Sequence, residues 1–142
     1  IILLPHEDEL LKKQKDNFDK IINELNKHNK KMGHWIWWVL PTTKSGGSEP
    51  QPPTCIKKEH QNKYIQYLAD NETTILIKWT KIICLLNKIG KLPKIDEGRF
   101  THFITEWSDF SKKHHSDELI QKFAQELKKL ITTPMEFTLK IL

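Results

Sequence analysis

The sequence is short of arginine, short of cysteine and free of long apolar runs. Of its 23 basic residues only Arg99 is an arginine, and the net charge of +5 rests on dispersed lysines. This charge favours anionic partners only weakly. The two cysteines, Cys55 and Cys84, form neither a CxxC pair nor a disulfide-rich spacing, which is typical of a cytoplasmic protein with reduced thiols. The longest apolar run, WIWWVL, is far shorter than the roughly 20 residues that cross a bilayer, so we expect no membrane segment.

Several chemistry-bearing motifs are also absent. No GxxxxGK[ST] sequence occurs, so P-loop nucleotide hydrolysis is not expected. His114, His115 and Asp117 have no HExxH or HxxxH helix beside them, which predicts a solvated helix junction and no metal site. There is no nucleophile elbow, and no cofactor is predicted. A basic stripe and a known DNA- or RNA-binding motif are lacking too, so nucleic acid is the least favoured partner.

The 142 residues are enough for one domain around one core. Apolar residues at three- and four-residue steps predict helices over residues 6–30, 56–68, 73–89, 98–114 and 116–133. We therefore predict an all-α, single-domain bundle of about five helices across residues 1–142. The tail, residues 135–142, is predicted as a short strand or a frayed end. Because the chain begins without Met, an excised domain of a longer protein, a processed product and a trimmed chain are all considered.

The most unusual stretch is KMGHWIWWVLPTT, residues 31–43, which has three tryptophans within four residues. Read as a strand or as a helix, WIWWVL is apolar on both faces, so we expect most of it to be buried. A buried indole N–H needs a hydrogen-bond partner, whereas an indole ring is also a stacking surface for a base or a sugar. The stretch therefore fits either a plug of the core or a pocket wall made by Trp35 and Trp37.

A long loop follows this Trp-rich segment. Residues 41–54, PTTKSGGSEPQPPT, contain four prolines and two glycines, and connectors of this length are usually functional or disordered. His34 precedes the tryptophans, where a titratable ring can face a pocket. The backbone N–H groups, hydroxyls and lysine of the loop suit a phosphate, which makes ligand-binding candidates of Thr42, Lys44, Ser45, Gly46 and Gly47.

A second candidate group lies in DEGRFTHFITEW, residues 96–107. If this segment is a helix, Arg99, His102 and Glu106 follow one another at three- and four-residue steps and share one face. The guanidinium of Arg99 suits a phosphate or a carboxylate, and His102, Glu106 and His34 are candidates for acid–base catalysis. A solvated helical face with an ion pair explains the same spacing, so both interpretations stay open.

The order helix, GHWIWWVLP, Gly/Ser loop and Tyr-containing helix resembles the uncharacterised bacterial domain of unknown function 1810 family. The signature of that family is His-Trp-Met-Trp-Phe-Ile-Phe-Pro-Gln followed by a Gly-Leu-Gly-Ser loop. The resemblance covers roughly residues 15–90, and we find no counterpart of the family's C-terminal Phe-Gly…Asp…Lys…Ser-Ser-Met segment. It implies an all-α fold and no particular activity, and it adds Tyr64 to the ligand-binding candidates. The matching positions are His34, Trp35, Trp37, Pro41, Gly46, Gly47, Ser48 and Tyr64.

Taken together, these features predict a small-ligand-binding domain with an aromatic pocket for a nucleotide or an ADP-ribose-like anion. Binding or sequestration is favoured over turnover because no nucleophile is identified. One alternative is a protein-interaction module that uses the 41–54 loop to contact a protein partner. A second alternative is a hydrolase or lyase acting on a nucleotide-type ligand, so whether the protein is an enzyme is left open.

Overall fold

A computed structural model describes residues 2–43 and 55–139, which fold into a helical bundle with one very small sheet. The all-α prediction is confirmed, and the described residues contain six helices because the Trp-rich segment supplies a short one. The loop residues Lys44, Ser45, Gly46 and Gly47 lie outside the described residues. The elements are α1 Pro5–His28, α2 Ile36–Val39, α3 Gln61–Asn71, α4 Thr73–Ile89, β1 Lys91–Pro93, α5 Glu97–Lys112, α6 Glu118–Thr132 and β2 Glu136–Thr138. No helix in this part of the chain is long and apolar enough to cross a membrane.

Local sequence accounts for where several helices begin and end. Helix α1 begins at Pro5, whose fixed φ suits the first helical position, and the Glu7 carboxylate accepts a hydrogen bond from the Leu4 N–H at 2.9 Å. Helix α6 begins after Asp117, whose side chain accepts hydrogen bonds from two N–H groups of the first turn. Helix α4 ends at Gly90, which has a φ of 65° that glycine adopts without strain.

Trp79 of α4 lies at the centre of the core and has no solvent exposure. Its ring is within 4.9–6.3 Å, centroid to centroid, of one aromatic ring from each of four other helices. Because each of these rings belongs to the apolar face of its helix, one tryptophan joins five helices. The four rings belong to Phe18 in α1, Tyr64 in α3, Trp107 in α5 and Phe123 in α6.

The two strands pair in parallel, with Leu92 of β1 opposite Phe137 of β2. The tail was predicted as a short strand or a frayed end, and residues 136–138 form the strand. Strand β1 was not predicted, because residues 91–93 carry no pattern beyond a connector. The ring of Phe137 also packs against Phe100 of α5 at 5.6 Å, so the pairing holds the start of α5 against the core.

The chain from Trp38 to Thr42 runs through the protein interior with each backbone carbonyl accepting a hydrogen bond from elsewhere in the fold. The donors come from α1, α4, α5 and the chain just before α3, at 2.9–3.2 Å. Buried carbonyls at the end of a short helix and in the chain after it need such partners, because an unpaired buried carbonyl destabilises the fold. The pairs are Gln14 Nε2 with Trp38 O, Trp79 Nε1 with Val39 O, Arg99 Nε with Leu40 O, Trp107 Nε1 with Pro41 O, and the Ile56 N–H with Thr42 O.

Candidate functional site

A cavity of about 530 Å³ lies between residues 31–42 and the chain from Ile95 to His102, which includes the first turns of α5. Both walls were singled out in the sequence as separate candidate groups. Five of the predicted site residues line this one cavity, and these are His34, Trp37, Thr42, Arg99 and His102. The fold therefore brings together two groups of residues about 60 positions apart in the chain.

Besides the bond from Trp107 to Pro41 O, further polar contacts join residues 31–43 to the chain from residue 96 through α5. The carboxylate of Asp96 lies 3.0 Å from Lys31 Nζ, Arg99 Nε donates a hydrogen bond to Leu40 O at 2.9 Å, and the Glu106 carboxylate accepts one from the Thr43 N–H at 2.9 Å. These contacts hold the backbone on both sides of the cavity in place without a ligand.

Arg99 and Gly98 lie in the first turn of α5, at the cavity wall. Because Arg99 Nε is fixed on a backbone carbonyl, its guanidinium has a defined position at the wall. A Cβ atom added to Gly98 would meet no other atom within 4 Å, so this position opens directly onto empty space. Arg99 thus places a guanidinium on one side of the cavity, and the neighbouring Gly98 adds no side chain there.

His102 and Glu106 form an ion pair one turn apart, with His102 Nε2 2.9 Å from Glu106 Oε2. The same carboxylate also accepts a hydrogen bond from the Thr43 hydroxyl. The side chain of Glu106 is 10% exposed and that of His102 is 48% exposed. An ionised carboxylate only accepts hydrogen bonds, so His102 donates from Nε2 and its Nδ1 is the ring nitrogen left for another partner.

Two of the predicted ligand-binding residues lie in the core and do not line the cavity. Trp35 is 3% exposed and donates from its indole to Glu24 Oε2 at 2.6 Å. Tyr64 has no solvent exposure, and its hydroxyl donates to Gln14 Oε1 at 2.7 Å. Burial raises the pKa of the Tyr64 phenol well above 10.0, and nearby negative charges raise it further. Both side chains stabilise the fold around the cavity.

Lys31 and Asp96 line the cavity and were not predicted as site residues. Their side chains are only 5% and 7% exposed. Lys31 Nζ also donates a hydrogen bond to Gly33 O at 2.7 Å and lies 5.3 Å from the centre of the Trp35 ring. Lys31 lies in the stretch 31–43 and Asp96 in the stretch 96–107. The sequence does not show that this one lysine among many is buried, and its position three residues before His34 is the only signal that could have selected it.

The residues His114–Asp117 form the junction between α5 and α6. The side chain of Asp117 caps α6, and the His115 ring packs on Phe110 with its Nε2 3.0 Å from the Phe110 carbonyl oxygen. Among residues 2–43 and 55–139, no three His, Cys, Asp or Glu side chains are arranged to hold a metal ion.

Comparison with known proteins identifies a family for this chain but assigns it no activity. The family described as "Protein of unknown function (DUF1810)" matches residues 7–134, whereas no curated protein and no solved structure matches the chain. The match runs from the first turn of α1 to the second residue after α6, so the similarity is longer than the residues 15–90 that carried the resemblance. It includes both walls of the cavity. The chain belongs to the DUF1810 family.

Proposed function

We propose that this protein binds a small anionic ligand of the nucleotide or ADP-ribose type in the cavity between residues 31–42 and α5. The observation that carries the proposal is the convergence of Arg99, two imidazoles and the ring of Trp37 on one space of about 530 Å³. Pockets for small ligands usually enclose about 300–1,000 Å³ and combine apolar walls with a few polar groups.

The charged side of the cavity suits a phosphate or a carboxylate. The guanidinium of Arg99 offers planar, paired N–H donors that match such groups, and His34 and His102 add ring nitrogens that donate when protonated. The cavity also faces the N-terminal turn of α5, where the helix dipole contributes partial positive charge. These groups favour an anion over a neutral ligand.

The apolar side of the cavity suits a planar ring. Trp37 is half-buried, and Ile36 and Ile95 lie beside it on the cavity wall. Ile95 is 85% exposed. A base stacked on the indole would bury both surfaces. A ligand with an anionic end and a planar end therefore fits better than inorganic phosphate alone.

Isothermal titration calorimetry with AMP and ADP-ribose tests this proposal, with adenosine and orthophosphate as the two separated halves of AMP. We expect AMP or ADP-ribose to bind at least about tenfold more tightly than either half. Arg99→Gln should weaken binding by about ten- to a hundredfold, since charge-assisted hydrogen bonds contribute about 1.5–3 kcal/mol. Arg99→Lys, which keeps the charge, should lose less.

Lys128→Gln is the matched control, because it removes one positive charge from an exposed position on α6, which contributes nothing to the cavity wall. We expect this variant to bind AMP within about twofold of the unmodified protein. If Arg99→Gln and Lys128→Gln weakened AMP binding equally, the loss of affinity would follow from net charge alone, which would contradict the proposal. Failure of both AMP and ADP-ribose to bind more tightly than adenosine would contradict it as well.

A further inference from the structure

We propose that the same cavity hydrolyses a phosphodiester ligand of the nucleotide class, such as a cyclic nucleotide, with His102 as general base and His34 as general acid. This inference rests on the proposed ligand site and goes beyond binding. Its basis is that two imidazoles and two cations, Lys31 and Arg99, line one space, and that one of the imidazoles is held by a buried carboxylate.

His102 has the surroundings of a general base. Its Nε2 is occupied by Glu106 at 2.9 Å, so a neutral ring has its lone pair on Nδ1. Glu106 is itself fixed by the N–H and the hydroxyl of Thr43, so the carboxylate holds the ring in one orientation. The imidazole is 48% exposed, and water can reach it. Glu106 is accordingly a positioning residue, and His102 is the group that would contact the reacting water.

Among the described residues, the carboxylates of Asp96 and Glu106 are both engaged in other contacts, which argues for phosphodiester chemistry over glycoside cleavage. Asp96 is paired with Lys31, and Glu106 is bonded to Thr43 and His102. Glycoside hydrolysis generally needs two carboxyl groups on either side of the sugar. Phosphodiester hydrolysis needs proton transfer and charge stabilisation, which imidazoles and cations supply.

The reaction balances with water as the only co-reactant. The water oxygen attacks phosphorus while His102 Nδ1 takes one of its protons. The bond between phosphorus and the leaving oxygen breaks, and protonated His34 gives its proton to that oxygen, leaving an alcohol and a phosphomonoester. Arg99 stabilises the negative charge on the other phosphate oxygens. Proton exchange with solvent then returns both rings to their starting states.

Adenosine 2′,3′-cyclic monophosphate is the probe that tests this inference, with the adenosine monophosphate product measured by chromatography. We expect the unmodified protein to open the cyclic ester, and His102→Ala to lower kcat at least about a hundredfold with KM little changed. Added imidazole should restore part of the activity of His102→Ala. Glu106→Gln should lower kcat more than it changes KM, because it disturbs the orientation of His102 and not the ligand contacts.

His28→Ala is the matched control, because it removes an exposed imidazole at the end of α1 that does not line the cavity. Thr43→Val offers a milder second variant should Glu106→Gln fail to fold, and it should also lower kcat. Equal activity of His28→Ala and His102→Ala would overturn the inference. So would release of nicotinamide from NAD⁺ without opening of the cyclic ester, which would assign the site to glycosidic bonds.

The outcomes separate this inference from the ligand proposal. If AMP binds in the calorimeter but no cyclic ester is opened, turnover is refuted and ligand binding stands. If neither AMP nor the cyclic ester binds, both proposals are refuted together. Opening of the ester that depends on His102 supports both.

Discussion

Lys31 and Asp96 face each other across the cavity wall with almost no solvent contact. The carboxylate oxygen is 3.0 Å from Nζ, in an ion pair rather than a well-directed hydrogen bond. Removing one partner of a buried pair leaves an uncompensated charge, whereas replacing both with apolar groups is often neutral. The Lys31–Asp96 pair therefore contributes mainly to how residues 31–42 pack against the start of α5, and less to the free energy of unfolding.

We expect Lys31→Met to lower the free energy of unfolding by about 3–5 kcal/mol, because Asp96 is left buried and unpaired. The double variant Lys31→Met/Asp96→Leu should recover most of that loss. Urea denaturation of the two single variants and the double variant measures the coupling. A double variant as unstable as the sum of the two single variants would contradict this account of the pair.

Tyr64 makes stability depend on pH at the alkaline end. Burial, with Glu7, Asp8 and Glu72 nearby, raises the pKa of the phenol in the folded protein well above the unfolded value of 10.0. Below pH 10 both states keep the proton. Above pH 10 the unfolded chain loses a proton that the folded protein retains, so the free energy of unfolding falls as the pH rises.

Chemical denaturation between pH 8 and 11 tests this assignment. Tyr64→Phe should be less stable at pH 8, by about 1–3 kcal/mol, because Gln14 loses a buried hydrogen-bond donor. Its stability should then fall less steeply above pH 10 than that of the unmodified protein. Tyr67→Phe removes the half-buried tyrosine of the same helix and is the control. The same alkaline slope in all three proteins would show that Tyr64 does not cause the loss.

At the scale of elements, the segment from Trp38 to Thr42 depends on donors from the surrounding helices. Two of these donors are indoles, Trp79 and Trp107, whose N–H groups bond to Val39 O and Pro41 O. From the sequence we expected the buried indole N–H groups of the Trp-rich segment to need hydrogen-bond acceptors. The structure shows that this segment mainly supplies acceptors to tryptophans elsewhere, and that Trp38 Nε1 is buried without a partner.

Trp107→Phe and Trp38→Phe are the same substitution with opposite consequences for hydrogen bonding. Trp107→Phe leaves the Pro41 carbonyl unpaired in the interior, which we expect to cost about 1–3 kcal/mol beyond the packing loss. Trp38→Phe removes a donor that has no acceptor and should cost less. Denaturation with urea measures both variants. A Trp38→Phe variant that is as destabilised as Trp107→Phe would contradict the role given to the Pro41 hydrogen bond.

Long helices could be predicted from the sequence because their apolar residues repeat at helical steps, as in α4. Helix α2 could not, because WIWWVL is apolar on both faces and fits a strand equally well. The pairing of β1 with β2 depends on contact between residues about 45 positions apart, which no local pattern encodes. The bonds to the carbonyls of residues 38–42 are also long-range, so their donors could not be assigned in advance.

At the scale of the whole molecule, the cavity arises because the Trp-rich segment and α5 lie side by side. The residue types at His34, Trp37, Arg99 and His102 could be selected from the sequence, because each has a recognisable chemistry. Their meeting in one space could not be deduced, since it depends on the packing of both segments. Lys31 was not predicted as a site residue, because its burial distinguishes it from the other lysines and burial cannot be read from its residue type.

If the cavity holds the ligand, a larger side chain at Gly98 should disturb binding without removal of any polar group. A Cβ at this position meets nothing within 4 Å, so Gly98→Ala should stabilise α5 by about 0.5–1 kcal/mol and leave room for a ligand. Gly98→Phe adds a ring at the cavity wall while the cations and imidazoles remain.

Calorimetric titration of AMP and ADP-ribose into these two variants is therefore the most direct measurement. We predict that Gly98→Ala binds the ligand that the unmodified protein prefers with unchanged affinity, within about twofold. Gly98→Phe should lose at least about a hundredfold in affinity while staying folded by circular dichroism. Unchanged binding by a folded Gly98→Phe variant would place the ligand elsewhere and contradict the account.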